Sequence, residues 1–176
     1  MKTMIKSVLA LMLTMGVAVI ANAQKTSSAP ASATVLADLT ITLDGTLNEI
    51  AFGNLSANTP GAVVLDANGL SNANTGSITN VARFDLAGAD VDVTVSYDAT
   101  VALTNGTPAE DMIMTPEVVG AATLAERGGA DAVASGTQVT LESGVFYLWV
   151  GGSIPQLASQ ATGTYAGTFN INVEYN

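Results

Sequence analysis

The sequence contains no cysteine and no histidine among its 176 residues. These absences exclude disulfides, Ser-His-Asp and Cys-His catalysis, and the usual zinc and haem sites that take either residue as a ligand. Lysine is nearly absent as well. Lys25 is the only lysine after residue 23, and its place near the start argues against a buried Schiff-base lysine. We therefore predict that the protein is not an enzyme.

Positive charge is also scarce. After residue 23 there are three basic residues, Lys25, Arg83 and Arg127, against fifteen acidic ones, which gives a formal net charge of −12. Binding to nucleic acid or anionic lipid requires a basic surface, so we predict neither partner. We interpret the acidity as a solvated surface that keeps a secreted protein soluble.

Long apolar runs are confined to the start of the chain. Lys2 and Lys6 precede an apolar stretch from Ser7 to Ile20 that is short for a membrane span. Ala21-Asn22-Ala23 then has the small-x-small pattern of a cleavage site. We predict a cleaved signal peptide over residues 1–23 and a secreted, periplasmic or cell-surface location. An uncleaved membrane anchor is the alternative, and no basic cluster follows to support it.

What the sequence has in abundance is period-two alternation interrupted by Gly and Asn turns. The pattern is clear over Val35–Leu43, Val91–Tyr97 and Tyr165–Tyr175, where apolar residues occupy every second position. About nine or ten such strands at short, regular spacing indicate an all-β fold. We predict a single antiparallel Ig-like or pilin-like β-sandwich over residues 34–176, after a flexible leader over residues 24–33.

Three segments receive more specific predictions. "LNEIAFGNL" is predicted to form a short strand that ends at Gly53. "TQVTLES" and "VFYLWVGG" are predicted to pair as a hairpin around Ser143-Gly144. The region of residues 120–136 is predicted to be a long loop with room for one helical turn.

The second of these segments also contains the only tryptophan. In "VFYLWVGG", Val145, Tyr147 and Trp149 alternate with three further apolar residues, so both faces of the strand are apolar. A strand of this kind is normally central and buried between two layers. We therefore interpret its aromatic residues as core and not as a sugar-stacking platform.

Calcium is the ligand for which the sequence offers the most oxygen donors. There are two candidate sets: Asp85, Asp90 and Asp92, and Asp66, Asn68 and Asn72. Neither set matches a calcium-loop pattern, and turns use Asp and Asn for their own backbone hydrogen bonds. We predict no catalytic, cofactor-binding or metal residues, and retain Asp85, Asp90 and Asp92 as the calcium candidates.

Four segments resemble a known family: "GTYAGTFNINVEY" at the end of the chain, "IAFGNL", "ARFDLAGADVDVTVS" and "LESGVFYLWVGGSI". From Val35 to Tyr175 the chain resembles the secreted bacterial family called domain of unknown function 4402. The resemblance implies an outline similar to the pilin-like and spore-coat-protein-U-like adhesin sandwiches of bacterial surfaces, and it brings no catalytic residues. The chain departs from those relatives in having no disulfide.

Two functional hypotheses follow. The first is a secreted or cell-surface structural protein, a pilin-like subunit in which the leader and the strand from Val35 to Leu43 complete the sheet of a neighbouring copy. Its partners would be copies of itself or another surface protein. The alternative is that Val35 to Leu43 pairs within its own domain and the protein is a monomer. The second is an extracellular binding module for glycan or calcium, which requires convergent acidic side chains or an exposed Trp149.

Overall fold

The computed structural model describes residues 25, 27–106, 111–157 and 160–176. The predicted signal peptide lies outside the described residues. Residues 25 and 27–34 are exposed and lack helix and strand. Residues 35–176 form a compact unit of their own, and all the elements below belong to it.

The described residues contain ten strands and one 3₁₀ helix. The strands are β1 (Thr40–Leu43), β2 (Val63–Leu65), β3 (Ala82–Ala87), β4 (Asp92–Tyr97), β5 (Val101–Leu103), β6 (Met112–Ala121), β7 (Asp131–Ala132), β8 (Thr137–Thr140), β9 (Val145–Ile154) and β10 (Ile171–Tyr175). The 3₁₀ helix covers Leu124–Gly129, within the region predicted to hold one helical turn. Among these residues there is no helix long and apolar enough to cross a membrane.

The strands form two antiparallel sheets. The large sheet has the order β1-β3-β9-β6-β5, with β2 also paired to β9 and β7 to β6, and the small sheet has the order β10-β4-β8. The two sheets share a buried cluster, here called the inter-sheet core, formed by Ala82, Leu86, Val93, Val95, Val118, Val133, Leu141, Leu148 and Val150. The predicted all-β antiparallel sandwich is therefore confirmed.

The opposite face of the large sheet is buried as well. Its cluster, here called the loop-side core, consists of Phe52, Val63, Leu65, Ala67, Val81, Val101, Met112, Met114, Val119, Trp149, Ile154 and Leu157. Half-buried side chains from irregular segments, among them Leu47, Leu55 and Tyr165, pack against it. The large sheet is thus the middle layer, with strands over one face and mainly irregular segments over the other.

β9 runs through the middle of this sheet. It pairs with β3 on one side and β6 on the other, and Leu148 and Trp149 are almost completely buried on opposite faces. The prediction of a central strand between two layers is confirmed. Beyond the end of β3, β2 pairs with the same side of β9. Gly151 allows β2 to approach, because a Cβ at this position would collide with the carbonyl oxygen of Leu65 in β2.

The predicted hairpin around Ser143-Gly144 is wrong. A tight turn is present, with Ser143 at φ 55° and Gly144 at φ 77°. However, β8 pairs with β4 in the small sheet, while β9 belongs to the large sheet. The turn carries the chain from one sheet to the other, and local sequence identifies the turn without identifying the strands' partners.

Two strand predictions near the start of the unit also need correction. The strand predicted from Val35 begins only at Thr40, which pairs with Ala87 at the end of β3. Residues before Thr40 therefore extend past their partner strand. The strand predicted in "LNEIAFGNL" is absent apart from one bridge between Ala51 and Asn80. Its apolar side chains, including Phe52, pack into the loop-side core from an irregular backbone.

Pro116 lies inside β6, where it faces Gly152 of β9. The carbonyl of Val118 accepts a hydrogen bond from Val133 N at 2.9 Å, away from β9. Backbone groups of even-numbered residues in this stretch therefore point to the outer edge of β6. Pro116 lacks an N–H at that outer edge, so it breaks no bond to β9.

Candidate interaction surface

The edges of the two sheets are the places where a strand of another chain could extend a sheet of this protein. On one side of the sandwich, β1 ends the large sheet and β10 ends the small one; on the other side, β7 and β8 lie at the corresponding edges. Edge strands present backbone donors and acceptors that a further strand can use. The two sides differ in how completely side chains cover the gap between the two sheets.

The edge formed by β1 and β10 is fastened by Tyr175. Its hydroxyl donates to the carbonyl oxygen of Ala37 at 2.7 Å and accepts from Ala89 N at 2.7 Å. Leu39 packs against the inter-sheet core. Gly88 permits this arrangement, because a Cβ there would collide with the Tyr175 hydroxyl and lie 3.1 Å from Leu39 Cδ1. We call this side the closed edge.

Just before the closed edge, the chain leaves apolar side chains in solvent. Val35 is 95% exposed and Leu36 is 38% exposed. β3 ends at Ala87, opposite Thr40, so the alternating residues upstream have no strand beside them within the described residues. A segment with a strand pattern is thus left without a sheet.

The side formed by β7 and β8 is open. A groove of about 650 Å³ lies between them, bordered by residues of β6, β7 and β8 and by Glu142 and Phe146. Phe146 and Val139 are half-buried and pack against the inter-sheet core from this side. Gly120 keeps room for the Phe146 ring, because a Cβ there would lie 2.9 Å from Phe146 Cζ. We call this side the open edge.

The open edge is acidic. Glu126, Asp131 and Glu142 line its groove. Glu126 also caps the 3₁₀ helix, since its Oε2 accepts from Thr123 N at 3.1 Å and from Thr123 Oγ1 at 2.8 Å. Small residues make up most of the remaining wall, which leaves backbone close to the groove.

The calcium candidates are placed apart. Asp85 lies in β3, where its carboxylate pairs with Arg83 at 2.7 Å. Asp92 begins β4 in the other sheet and accepts from Thr140 Oγ1 at 2.6 Å, while Asp90 is exposed between the two strands. Across the part of the chain that the structure describes, no three acidic side chains are grouped to hold a metal ion.

The other candidate set, around Asp66, builds a turn. The Asp66 carboxylate accepts from three backbone N–H groups, those of Asn68, Leu70 and Ser71, at 2.7–3.0 Å. Asn72 Oδ1 accepts from Asp66 N at 2.8 Å. Burial opposes ionisation of Asp66, but these bonds together with the Ser71 hydroxyl outweigh it and lower the pKa of Asp66. The expectation that turns use these residues for their own hydrogen bonds is confirmed here.

The turn is tied to the 3₁₀ helix. Asn68 Nδ2 donates to the carbonyl oxygens of Arg127 and Ala130 at 2.8 and 3.1 Å, and Arg127 Nε donates to Ala67 O at 3.0 Å. Burial lowers the pKa of Arg127, and the nearby Asp66 carboxylate opposes that shift. Arg83 and Arg127 therefore both serve intramolecular contacts.

The aromatic side chains do not form an exposed platform. Trp149 is 1% exposed and contacts Tyr147 with ring centroids 6.4 Å apart. Tyr97 is half-buried and donates its hydroxyl to Val133 O at 2.9 Å. Their interpretation as core is confirmed for Trp149, the residue on which a stacking site would depend.

A second cleft, of about 670 Å³, lies over the loop-side core. It is bordered by residues 49–55, 77–80 and 160–165. Tyr165 stands in its wall, where the hydroxyl accepts from Asn105 Nδ2 at 3.1 Å and donates to Ala161 O at 3.1 Å. The sequence predicted neither this cleft nor the groove at the open edge. The polar strand "TQVT" with its single apolar Val139 was the one available sign of an edge.

A family described as Domain of unknown function (DUF4402) has a sequence model that matches residues 39–175. Those residues include all ten strands. The match names no activity, ligand or partner. No curated protein matches the chain.

Proposed function

The chain belongs to the DUF4402 family, and from that premise we propose that it is a non-enzymatic structural protein, exported from the cell, whose copies join by strand addition. The observation that carries the proposal is Val35, 95% exposed in an alternating segment with no strand partner in the described structure. An extended alternating segment whose Val35 and Leu36 side chains are both exposed offers apolar surface and backbone groups that the sheet edge of another chain can cover.

Strand addition uses what both sides of the contact offer. An extended segment forms main-chain hydrogen bonds with a sheet edge, and its alternate side chains fill pockets beside that edge. Burying the Val35 side chain contributes on the order of 1.5–3 kcal/mol. A contact between different surfaces of two copies repeats from copy to copy, and it gives a filament when the rotation between copies does not close into a ring.

Export is part of the same proposal. It is supported by the signal-peptide pattern of residues 1–23 and the net charge of −12 after it. The alternative of a glycan or calcium module has less support, because the described acidic residues form no metal-holding group and Trp149 is buried.

The test compares the chain from Gln24 to Asn176 with its Val35→Asp variant. Size-exclusion chromatography with light scattering and negative-stain electron microscopy report the assembly state. We expect the unaltered chain to form filaments or concentration-dependent oligomers, and Val35→Asp to shift them at least tenfold toward monomer. Ile78→Asp is the matched control, since Ile78 is 82% exposed far from β1 in sequence. A strictly monomeric unaltered chain at every concentration rejects the proposal.

A further inference from the structure

Strand addition requires an acceptor edge, and the two sides of the sandwich are not equivalent candidates. At the closed edge, Tyr175 holds both Ala37 and Ala89 through its hydroxyl, and Leu39 covers the core. At the open edge, β8 pairs only with β4 among the described strands, and the groove beside it exposes part of Phe146. Of these two sides, only the open edge offers both an unused strand side and space for side chains among the described residues.

The dimensions of the donor suit the groove. Residues 31–36 ("ASATVL") place Ala31, Ala33 and Val35 on one side of an extended chain. Six residues extend about 20 Å, against about 13 Å for the four residues of β8, so the donor spans the whole acceptor strand. Its small side chains suit a groove in which six of the fifteen lining residues are glycine or alanine, and Val35 is the one large enough to reach toward Phe146.

The charges are complementary. Lys25 is the only charged residue between residues 24 and 37, so this stretch is net positive, while the rest of the chain after it is strongly negative. The open-edge groove presents Glu126, Asp131 and Glu142. Arg83 and Arg127 are engaged in contacts within their own copy. Attraction between Lys25 of the leader and these carboxylates therefore supports binding of the leader at the open edge.

From these three observations we propose that residues 31–36 of one copy pair with the outer edge of β8 in a second copy, filling the groove between β7 and β8. This assignment rests on the proposed function and names its acceptor. The donor leaves from the β1 side and enters on the β8 side, which are opposite edges of the sandwich. Each copy then carries one donor and one free acceptor, so the contact is head-to-tail.

Engineered disulfides test the assignment, because the chain has no cysteine of its own. Leu36→Cys is placed in one copy of the chain from Gln24 to Asn176 and Gln138→Cys, on β8, in another. Asn172→Cys is the matched control acceptor, because Asn172 and Gln138 are both exposed. Asn172 lies on β10 opposite Ser96 of β4, and Gln138 lies on β8 opposite Thr94, so the two positions are on opposite edges of the small sheet. The two mixtures are oxidised mildly and the cross-linked dimer is quantified.

We expect at least tenfold more cross-linked dimer with Gln138→Cys than with Asn172→Cys, and a several-fold lower yield when Lys25→Glu is added to the donor. Preferential cross-linking to Asn172→Cys, or equal yields, overturns the β8 assignment. If the unaltered chain assembles in light scattering but neither pair cross-links, the β8 assignment fails while strand addition survives. If the unaltered chain is monomeric, both proposals fail.

Discussion

The two faces of the large sheet are both buried, but different kinds of structure cover them. Over one face, β4, β8 and β10 of the small sheet supply regular alternating side chains to the inter-sheet core. Over the other face, irregular segments supply the side chains of the loop-side core. The comparison shows that a β domain can bury two cores while forming strands over only one of them.

The difference follows from where backbone hydrogen bonds are made. In the small sheet, neighbouring strands satisfy each other's backbone groups. Over the loop-side core, side chains take over that role, as when Asp66 binds three backbone N–H groups and Asn68 binds two carbonyl oxygens. The loop-covered face therefore relies more on particular polar side chains to satisfy its backbone groups than the paired strands of the small sheet do.

The largest expected effect comes from Trp149→Ala in β9. The side chain is 1% exposed in the loop-side core, so its removal should lower the free energy of unfolding by about 3–5 kcal/mol. The neighbouring residue Leu148 is 0% exposed in the inter-sheet core. Leu148→Ala should lower the free energy of unfolding by about 2–5 kcal/mol. Urea unfolding followed by circular dichroism measures both.

The same experiment can break the comparison. Trp149 is the only tryptophan, so its fluorescence in the unaltered protein reports the loop-side core alone. We expect the fluorescence and circular dichroism transitions to coincide, because β9 belongs to both cores. An earlier fluorescence transition would mean that the loop-covered face opens separately from the sandwich.

Phe169→Ala should have the next largest effect, about 3 kcal/mol. The half-buried Phe169 packs against both cores and contacts the rings of Tyr97 and Phe84 at centroid distances of 5.7 and 6.2 Å. Asn170→Ala is the control; it removes one exposed hydrogen bond to Asp98 and should cost less than about 1 kcal/mol. Equal losses of stability in thermal unfolding would contradict the placement of Phe169 in both cores.

The smallest effect concerns acid stability and sharpens the polar side of the comparison. Because folding lowers the pKa of Asp66 below 3.8, the ionised carboxylate stabilises the fold above about pH 4, and this contribution is lost as the pH falls through the lowered pKa. Asp66→Asn should cost about 1–3 kcal/mol at pH 7 and lose less stability than the unaltered protein between pH 7 and pH 3.

Urea midpoints at the two pH values measure the difference. Asp90→Asn, at an exposed position, is the matched control, and at pH 7 it should change the free energy of unfolding by less than about 0.5 kcal/mol. The same slope in Asp66→Asn and in the unaltered protein would show that the turn holds without the charge.

The predictability of the fold divides along the same line. Period-two alternation identified β4 and β9 because each buries a regular row of side chains, and β9 was recognised as central because both its rows are apolar. Alternation predicted a strand wrongly in "LNEIAFGNL", where Phe52 enters the core from an irregular backbone. It also predicted a strand wrongly at residues 35–39, because the alternating pattern continues beyond the end of the partner strand β3. Alternation records which side chains suit burial, and pairing additionally requires a partner strand of matching length.

The candidate interaction surface was less predictable for a related reason. Only part of the proposed donor could be anticipated, since the sequence predicts alternation from Val35 to Leu43 and a flexible leader over residues 24–33. The acceptor combines β6, β7, β8 and Phe146, which come together only through the crossing between sheets at Ser143-Gly144. Local sequence identified that turn as a hairpin, so it could not place β8 at an edge.

Pro116 has a consequence for unwanted association. Between its contacts with β5 and β7, the outer edge of β6 has no strand partner among the described residues, and an uncovered stretch of this kind can template disordered aggregates. Pro116 has no backbone N–H to donate to an incoming strand, so a strand added here would lack a hydrogen bond in the middle of its pairing. Pro116 therefore opposes aggregation through the outer edge of β6, independently of the contacts that join copies along a filament axis.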